Sequence, residues 1–191
     1  KNVADIVGNN SPVITTLARV EKRKGHMFII KALPEIKNKF PNVLYLIAGK
    51  GPYLEKIKNI TKEMNLENNV KFLGWITEPE KSLILKRSDL FVMTPTTVGE
   101  SVEGFGMAYI DASFHGVASI GSDSGGVSDA ILNNKTGIIC ESGNQKMITE
   151  KILLLLENKK LRESMGANGK FRAKENYAWD KKIIEYLDAS K

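Results

Sequence analysis

The sequence predicts an α/β domain built on a doubly wound parallel sheet with C-terminal helices, on three observations. Apolar periodicity alternates along the chain between short strand-like runs and amphipathic helical segments. Successive strand-like runs are spaced for crossover helices, the connection that parallel pairing needs. At 191 residues, 42% hydrophobic and 26% charged, the chain has the size and composition of one globular domain, residues 1–191.

The first strand candidate is Val13–Ala18, followed by a helix at Met27–Lys37. Strand Val43–Ala48 and helix Leu54–Met64 come next, the helix carrying Ile57, Ile60 and Met64 on one face. Strand Val70–Leu73 leads to helix Glu80–Lys86, and strand Leu90–Met93 leads through an irregular stretch to helix Phe105–Phe114. The fifth and sixth strands, Ala118–Ile120 and Gly137–Cys140, flank a short helix at Val127–Leu132. Each strand candidate is rich in β-branched residues or bounded by turn residues. The tail is helical: Lys146–Glu157, Lys160–Glu175 and Asp180–Leu187. Ile148, Ile152, Leu155 and Leu156 give the first of these a buried stripe, and the run Leu153–Leu156 is apolar beyond one stripe.

Open α/β sheets bind ligands beyond the carboxyl ends of their strands. Nine of the 16 glycines fall between Gly99 and Gly143, in the loops after the fourth and fifth strands, so the site is expected there. The most informative segment is Ser101-Val-Glu-Gly-Phe-Gly-Met-Ala-Tyr-Ile-Asp111. Its helix would present free N–H groups at its start, with Gly104 and Gly106 allowing close backbone approach, an arrangement suited to phosphate. Glu103 at the entrance would repel phosphate, so it is expected to accept hydrogen bonds from sugar hydroxyls. Asp111, two turns on and off the apolar face, is placed to bind the vicinal hydroxyls of a ribose. Acids also favour a helix start electrostatically, and that use explains Glu103 and Asp111 equally well when they are taken alone. A second segment tips the balance: Arg19-Val-Glu-Lys-Arg-Lys24-Gly-His26 follows the first strand and opens a helix, so Arg19 and Lys24 lie at the same edge. Two cations and a helix N-terminus fit a diphosphate. Lys22 and Arg23 read as a solvated basic surface.

These fragments resemble, in order, the family-four glycosyltransferases of the GT-B fold, the group 1 glycosyl transferases. The likeness is carried by Arg19…Lys24-Gly-His26, Ala48-Gly-Lys-Gly-Pro52, Val70-Lys-Phe-Leu-Gly74, Ser88-Asp-Leu-Phe-Val-Met-Thr-Pro95, Glu103-Gly-Phe-Gly106 and Gly125-Gly126, and it runs from Val13 to Trp179. It implies the Rossmann-like donor-binding half of such an enzyme. Arg19 and Lys24 match the basic pair that holds the donor diphosphate, and Gly104, Phe105 and Gly106 match its phosphate and sugar contacts. Glu103 matches the first acid of the Glu-x7-Glu motif, facing the transferred sugar. Asp111 takes the place of the second, ribose-binding acid, one methylene shorter. The backbone around Ile76 matches the base contact, and Gly49 and Gly51 line the opposite loop. Two departures are Gly116-Val-Ala-Ser119 in place of Gly-x-Pro-Val, and Asp129 where many members carry Glu. The loop Thr96–Val102 and Gly125-Gly-Val-Ser-Asp-Ala130 resemble the branch of phosphatidylinositol mannosyltransferases and envelope-polysaccharide enzymes, which implies GDP-mannose or a UDP-hexose as donor.

The resemblance further implies retention of anomeric configuration without an obligatory metal or other cofactor. It also implies a missing N-terminal domain that supplies the acceptor pocket, without which this domain binds donor but does not transfer. Two rival readings are a nucleotide-sugar epimerase half-domain and a non-catalytic nucleotide-binding or basic interaction module. The basic pair Arg19/Lys24 with Glu103/Asp111 argues against the epimerase.

Composition narrows the remaining classes. A single cysteine, Cys140, provides no disulfide framework or Cys-based zinc site and suits a reducing cytoplasm; Cys140 itself reads as a small buried hydrophobe. No apolar run approaches the roughly 20 residues that cross a bilayer, and the first residues carry no signal-peptide zones. The charge of +6 is uneven: residues 1–40 carry 8 Lys+Arg against 3 Asp+Glu, and residues 146–191 carry 11 against 7. Such ends fit solvated helix faces and would permit peripheral contact with an anionic inner-membrane surface. Without interleaved aromatics they do not read as a nucleic-acid surface. The lone histidines His26 and His115 do not suggest a metal site, His115 reading as a helix cap and Trp179 as a packing residue.

Overall fold

The computed structural model describes residues 3–99 and 101–178. Six strands, β1 (Val13–Leu17), β2 (Leu44–Ala48), β3 (Val70–Gly74), β4 (Leu90–Val92), β5 (Ser119–Ser122) and β6 (Gly137–Cys140), form one sheet of order β3-β2-β1-β4-β5-β6. Every pairing is parallel, with Val13 opposite Leu44, Ile14 opposite Leu90 and Ser119 opposite Gly137. The order reverses direction between β1 and β4. Their exit loops therefore diverge to opposite sides and leave a crevice, the position at which doubly wound sheets hold ligands.

The helices are α1 (Val3–Val7), α2 (His26–Lys39), α3 (Leu54–Glu63), α4 (Glu78–Lys86), α5 (Met107–Phe114), α6 (Val127–Ala130), α7 (Gln145–Glu157) and α8 (Lys159–Asn176). Alternate strand residues point to opposite faces, and two layers of helices cover them. On one face Ile14, Tyr45, Ile47, Val92 and Ile120 pack against Ile29, Leu33, Ile57, Ile148 and Ile152 of α2, α3 and α7. On the other, Phe91 and Met93 meet Tyr109 and Ala112 of α5, Val127 of α6 and Ala173 of α8, while Leu44 and Leu46 meet α1 and α4. The stripe expected on α3 packs inward through Ile57, Ile60 and Met64. The extra apolarity of the 153–156 run is absorbed by the same core, with Leu153, Leu155 and Leu156 buried and Leu154 left outside.

Sequence chemistry sets the helix starts. Thr77 and Glu80 form a reciprocal capping box on α4, and Asn144 and Asn158 accept from the N–H groups of Met147 and Leu161 to cap α7 and α8. The structure departs from the sequence reading in three places. α1 was not expected. α6 ends at Ala130 because Ile131 is extended, with φ −113°. α5 begins at Met107, not Phe105, because Gly106 takes φ +83° and turns the chain into the helix only after it. The expected helix Asp180–Leu187 and the packing of Trp179 lie outside the described residues.

Cys140 is buried at the end of β6, where desolvation pushes its thiol up to about 11, Lys151 opposing weakly and Asp123 reinforcing. A thiol reagent at pH 7.5 should therefore label the unfolded chain and leave the native one unlabelled. Rapid labelling of native protein would contradict this placement.

Candidate functional site

The carboxyl ends of all six strands share one edge, and the loops leaving β1, β2, β3 and β4 meet there. After β1 the chain passes through Arg19 and Val20 to a 3-10 turn at Lys22–Lys24 and then enters α2. Beneath this loop lies a buried polar chain. The Thr16 hydroxyl donates to the carbonyl of Val92 and lies 2.9 Å from the Tyr45 hydroxyl, which lies 3.1 Å from His26 Nδ1; His26 Nε2 is 3.4 Å from the Arg19 carbonyl. Carbonyl acceptors stand at both ends, so a neutral imidazole supplies one proton too few for the four contacts, and the long contact to Arg19 is the weakest of them. Burial holds His26 neutral. Its pKa falls to about 4, chiefly by desolvation, with the Arg19 carbonyl opposing and the charge of Lys24 reinforcing. Burial likewise pushes the Tyr45 hydroxyl up.

The loop after β4 returns to this place at Glu103. Lys24 Nζ lies 2.5 Å and Arg23 Nη1 3.3 Å from Glu103 Oε2, although some 80 residues separate them in sequence. Arg23 Nε also reaches Glu21 Oε2 at 3.0 Å, and Glu21 Oε1 is 3.1 Å from Arg19 Nη1. Arg19, Glu21, Arg23, Glu103 and Lys24 thus form one network of three cations and two carboxylates. Arg23 is not the solvated surface residue that the sequence suggested, since its side chain is 21% exposed and its guanidinium doubly paired, whereas the Arg19 side chain extends into solvent at 73%. The signal that could have found Arg23 is weak, because pairing across 80 residues is invisible to local pattern.

Glu103 is held from behind by the loop after β5. The amide of Gly126 donates to the Glu103 carbonyl at 2.9 Å. A Cβ on Gly125 would stand 2.0 Å from that carbonyl oxygen, and one on Gly126 would stand 1.9 Å from the carbonyl oxygen of Gly104. Two glycines in succession are what let these backbones touch. In front, nothing lies within 4 Å of a Cβ built on Gly104, so the loop opens to solvent on the side a ligand would approach. The N-terminus of α5 carries no side-chain cap, and among the described residues the N–H groups of Phe105, Met107 and Ala108 have no backbone acceptor. These groups and the dipole of α5 attract an anion. Phe105 itself leans on Tyr177, ring centroids 5.7 Å apart, and Tyr109 anchors α5 by donating to the Met93 carbonyl. Burial and then the charge of Glu103 push the Tyr109 hydroxyl well up, so it remains a donor.

Asp111 is already engaged. Its Oδ2 lies 3.0 Å from Lys81 Nζ, which also holds Glu78 at 2.7 Å. Burial acts against the Lys81 charge, but the hydrogen bonds to Glu78 and Asp111 outweigh it and raise the pKa. The sequence reading missed Lys81, although its place in the first turns of the helix after β3 aims it at the same edge. A second tie between these helices joins Ser82 Oγ to His115 Nε2 at 2.9 Å, with His115 capping α5 through the Asp111 carbonyl. Lys81 forms one wall of a cavity of about 560 Å³ whose lining includes Arg19, Gly49, Gly51, Trp75 and Ile76. The cavity meets the basic loop at Arg19, so a ligand with a flat apolar end and an anionic end could lie in the two continuously. Trp75, 76% exposed, stands at its mouth.

Among the described residues no group of three or more His, Cys, Asp or Glu is placed to hold a metal ion, and no helix is long and apolar enough to cross a membrane.

Residues 5–172 match the family described as glycosyl transferases group 1. A GDP-mannose-dependent alpha-(1-6)-phosphatidylinositol monomannoside mannosyltransferase of Mycolicibacterium smegmatis is 32% identical over 170 residues, covering 88% of this chain and 44% of that protein. A trehalose synthase of Thermococcus litoralis is 30% identical, covering 93% and 43%. The chain spans less than half the length of these relatives. Among solved structures, Anabaena HepE in complex with UDP and glucose superposes with a TM-score of 0.84 at 21% identity, over 98% of this chain and 51% of that one. TarM gives 0.79 at 27% identity, over 94% and 35%.

Proposed function

Because the chain belongs to the glycosyl transferases group 1 family, we propose that it is the donor-binding domain of a retaining two-domain glycosyltransferase of the GT-B fold. It takes the nucleoside diphosphate of GDP-mannose or a UDP-hexose in the crevice between the exits of β1 and β4. The observation that carries this reading is the network joining Arg19, Arg23 and Lys24 to Glu103 beside the uncapped start of α5. The base lies in the cavity against Ile76, the diphosphate against Arg19, Lys24 and the amides of Gly104–Gly106, and the sugar against Glu103.

Glycosyl transfer needs a leaving group whose negative charge grows as the glycosidic bond breaks. Fixed cations and amides aimed at that group stabilise the developing charge without reorganising. Glu103, held by Lys24 and Arg23 in the free protein, turns to sugar hydroxyls once phosphate oxygens take over those cations. Asp111 reaches ribose either directly or through Lys81. An N-terminal domain supplies the acceptor site, so this domain alone binds donor without transferring it. The acceptor is a lipid-linked saccharide, polysaccharide or similar, met in the cytoplasm or at an anionic inner-membrane surface.

Calorimetric titration with UDP, GDP and ADP tests the reading. Binding of at least one at millimolar concentration or below is expected, and replacing Arg19 or Lys24 by alanine should weaken it by about 1–3 kcal/mol through loss of charged hydrogen bonds. No binding by the wild-type domain would remove the proposal, and an unchanged affinity would remove that residue from the site.

A further inference from the structure

Glu21 belongs to none of the roles assigned so far, yet it sits where phosphate is expected. Its two carboxylate oxygens are divided between two guanidiniums, Oε1 at 3.1 Å from Arg19 Nη1 and Oε2 at 3.0 Å from Arg23 Nε. Its side chain is only 19% exposed. The 3-10 turn Lys22–Lys24 produces this geometry by folding the chain back, so that the amide of Lys24 donates to the Glu21 carbonyl at 3.1 Å. A carboxylate bridging two arginines offers them what a phosphate offers: two oxygens spaced to accept from two forks. With Glu103 occupying Lys24 and the second arm of Arg23, Arg19, Arg23 and Lys24 each have an anionic partner before any ligand arrives.

Resting on the reading of this loop as the diphosphate site, we infer that Glu21 is an internal competitor of the donor. In the free domain its carboxylate stands in for a phosphate between Arg19 and Arg23; donor binding displaces it and releases Arg23 as a third cation for the diphosphate. The exchange weakens donor affinity by the strength of the bonds Glu21 gives up. It equally favours departure of the nucleoside diphosphate after transfer, because Glu21 closes over the vacated arginines. Affinity is a difference between bound and free states, so a residue that stabilises only the free state lowers it.

The test is calorimetric titration of the wild type and Glu21→Gln with UDP or GDP, whichever the wild type binds more tightly, at fixed ionic strength. Glu157→Gln serves as the control for net charge. It removes one carboxylate from the pair Lys39–Glu157, which joins the C-terminal ends of α2 and α7 at the opposite edge of the sheet. Glu21→Gln should bind about three- to tenfold more tightly than wild type, the scale of one or two partly exposed ion pairs, while Glu157→Gln should match wild type. Weaker binding by Glu21→Gln would show that Glu21 positions the arginines, and a change no larger than that of Glu157→Gln would show that it does nothing to the site. Either result overturns the inference while leaving the diphosphate reading intact. Failure of the wild type to bind any nucleoside diphosphate removes both.

Discussion

Replacing Gly126 by alanine should cost the domain at least about 100-fold in nucleoside diphosphate affinity, about 2.7 kcal/mol. The added Cβ would stand 1.9 Å from the Gly104 carbonyl oxygen and 3.0 Å from its carbon, both backbone atoms that have no rotamer to yield. The 103–106 loop must then shift by about an ångström relative to the loop after β5 and to the basic loop. That displacement would break the alignment of Glu103 with Lys24 and of the α5 amides with a bound phosphate, and hydrogen bonds to a charged group are worth about 1.5–3 kcal/mol each. Gly104→Ala separates the loop's two faces. Its Cβ enters open space, so thermal stability should stay within a degree or two of wild type while diphosphate binding still falls, because the space filled is the ligand's. If Gly126→Ala binds like wild type, the loop is not part of the site.

The second large effect is on stability. His26 has a folded pKa of about 4 against an ordinary 6.5, so between these values the unfolded chain binds a proton that the folded chain refuses. Stability must fall as pH drops through this window, and the contribution of His26 is complete only above pH 6.5. Between pH 7 and pH 4.5 the loss from this residue is about 2 kcal/mol. Urea denaturation at the two pH values should show a loss of at least this size, and the imidazole resonances of His26 in the native protein should titrate near pH 4. A native His26 titrating near 6.5 would contradict the buried chain from Thr16 to Arg19.

Much of this architecture is legible in the residues themselves. Short β-branched runs separated by helical stripes locate all six strands to within two residues at either end, because the two periodicities are local properties of the backbone. The site edge follows from topology: in a parallel sheet the loops after β1 and β4 leave by the same edge, and the strand order that makes these two strands neighbours puts the crevice between them. What local pattern could not supply was partnership. Arg23 looked like its neighbour Lys22, and only the fold puts its guanidinium between Glu21 and Glu103. Asp111 looked free, and only the packing of α4 beside α5 brings Lys81 to it. The start of α5 was misjudged by two residues because the periodicity of Phe105, Ala108 and Tyr109 extends through Gly106, whose left-handed backbone delays the first helical turn. α1, at five residues, is too short for a period to register.

The network also defines what binding does to the free domain. Each carboxylate in it holds two cations, so in the free domain the three cations are organised and compensated but for one positive charge. A diphosphate bound at this place would exchange with these carboxylates as well as meet the remaining charge. If a diphosphate binds here, its affinity should fall as salt rises, because the ion pairs it makes and those it replaces are both screened.

The most direct measurement compares a nucleoside diphosphate with its own nucleoside on the wild-type domain, GDP against guanosine and UDP against uridine, by calorimetry at low salt. If the cradle of Arg19, Lys24 and the Gly104–Gly106 loop holds the diphosphate, the diphosphate should bind at least about 30-fold more tightly than the nucleoside, about 2 kcal/mol. Removing Lys24 should erase most of that difference. Equal affinities for nucleoside and diphosphate would place the ligand's charge elsewhere and contradict the site.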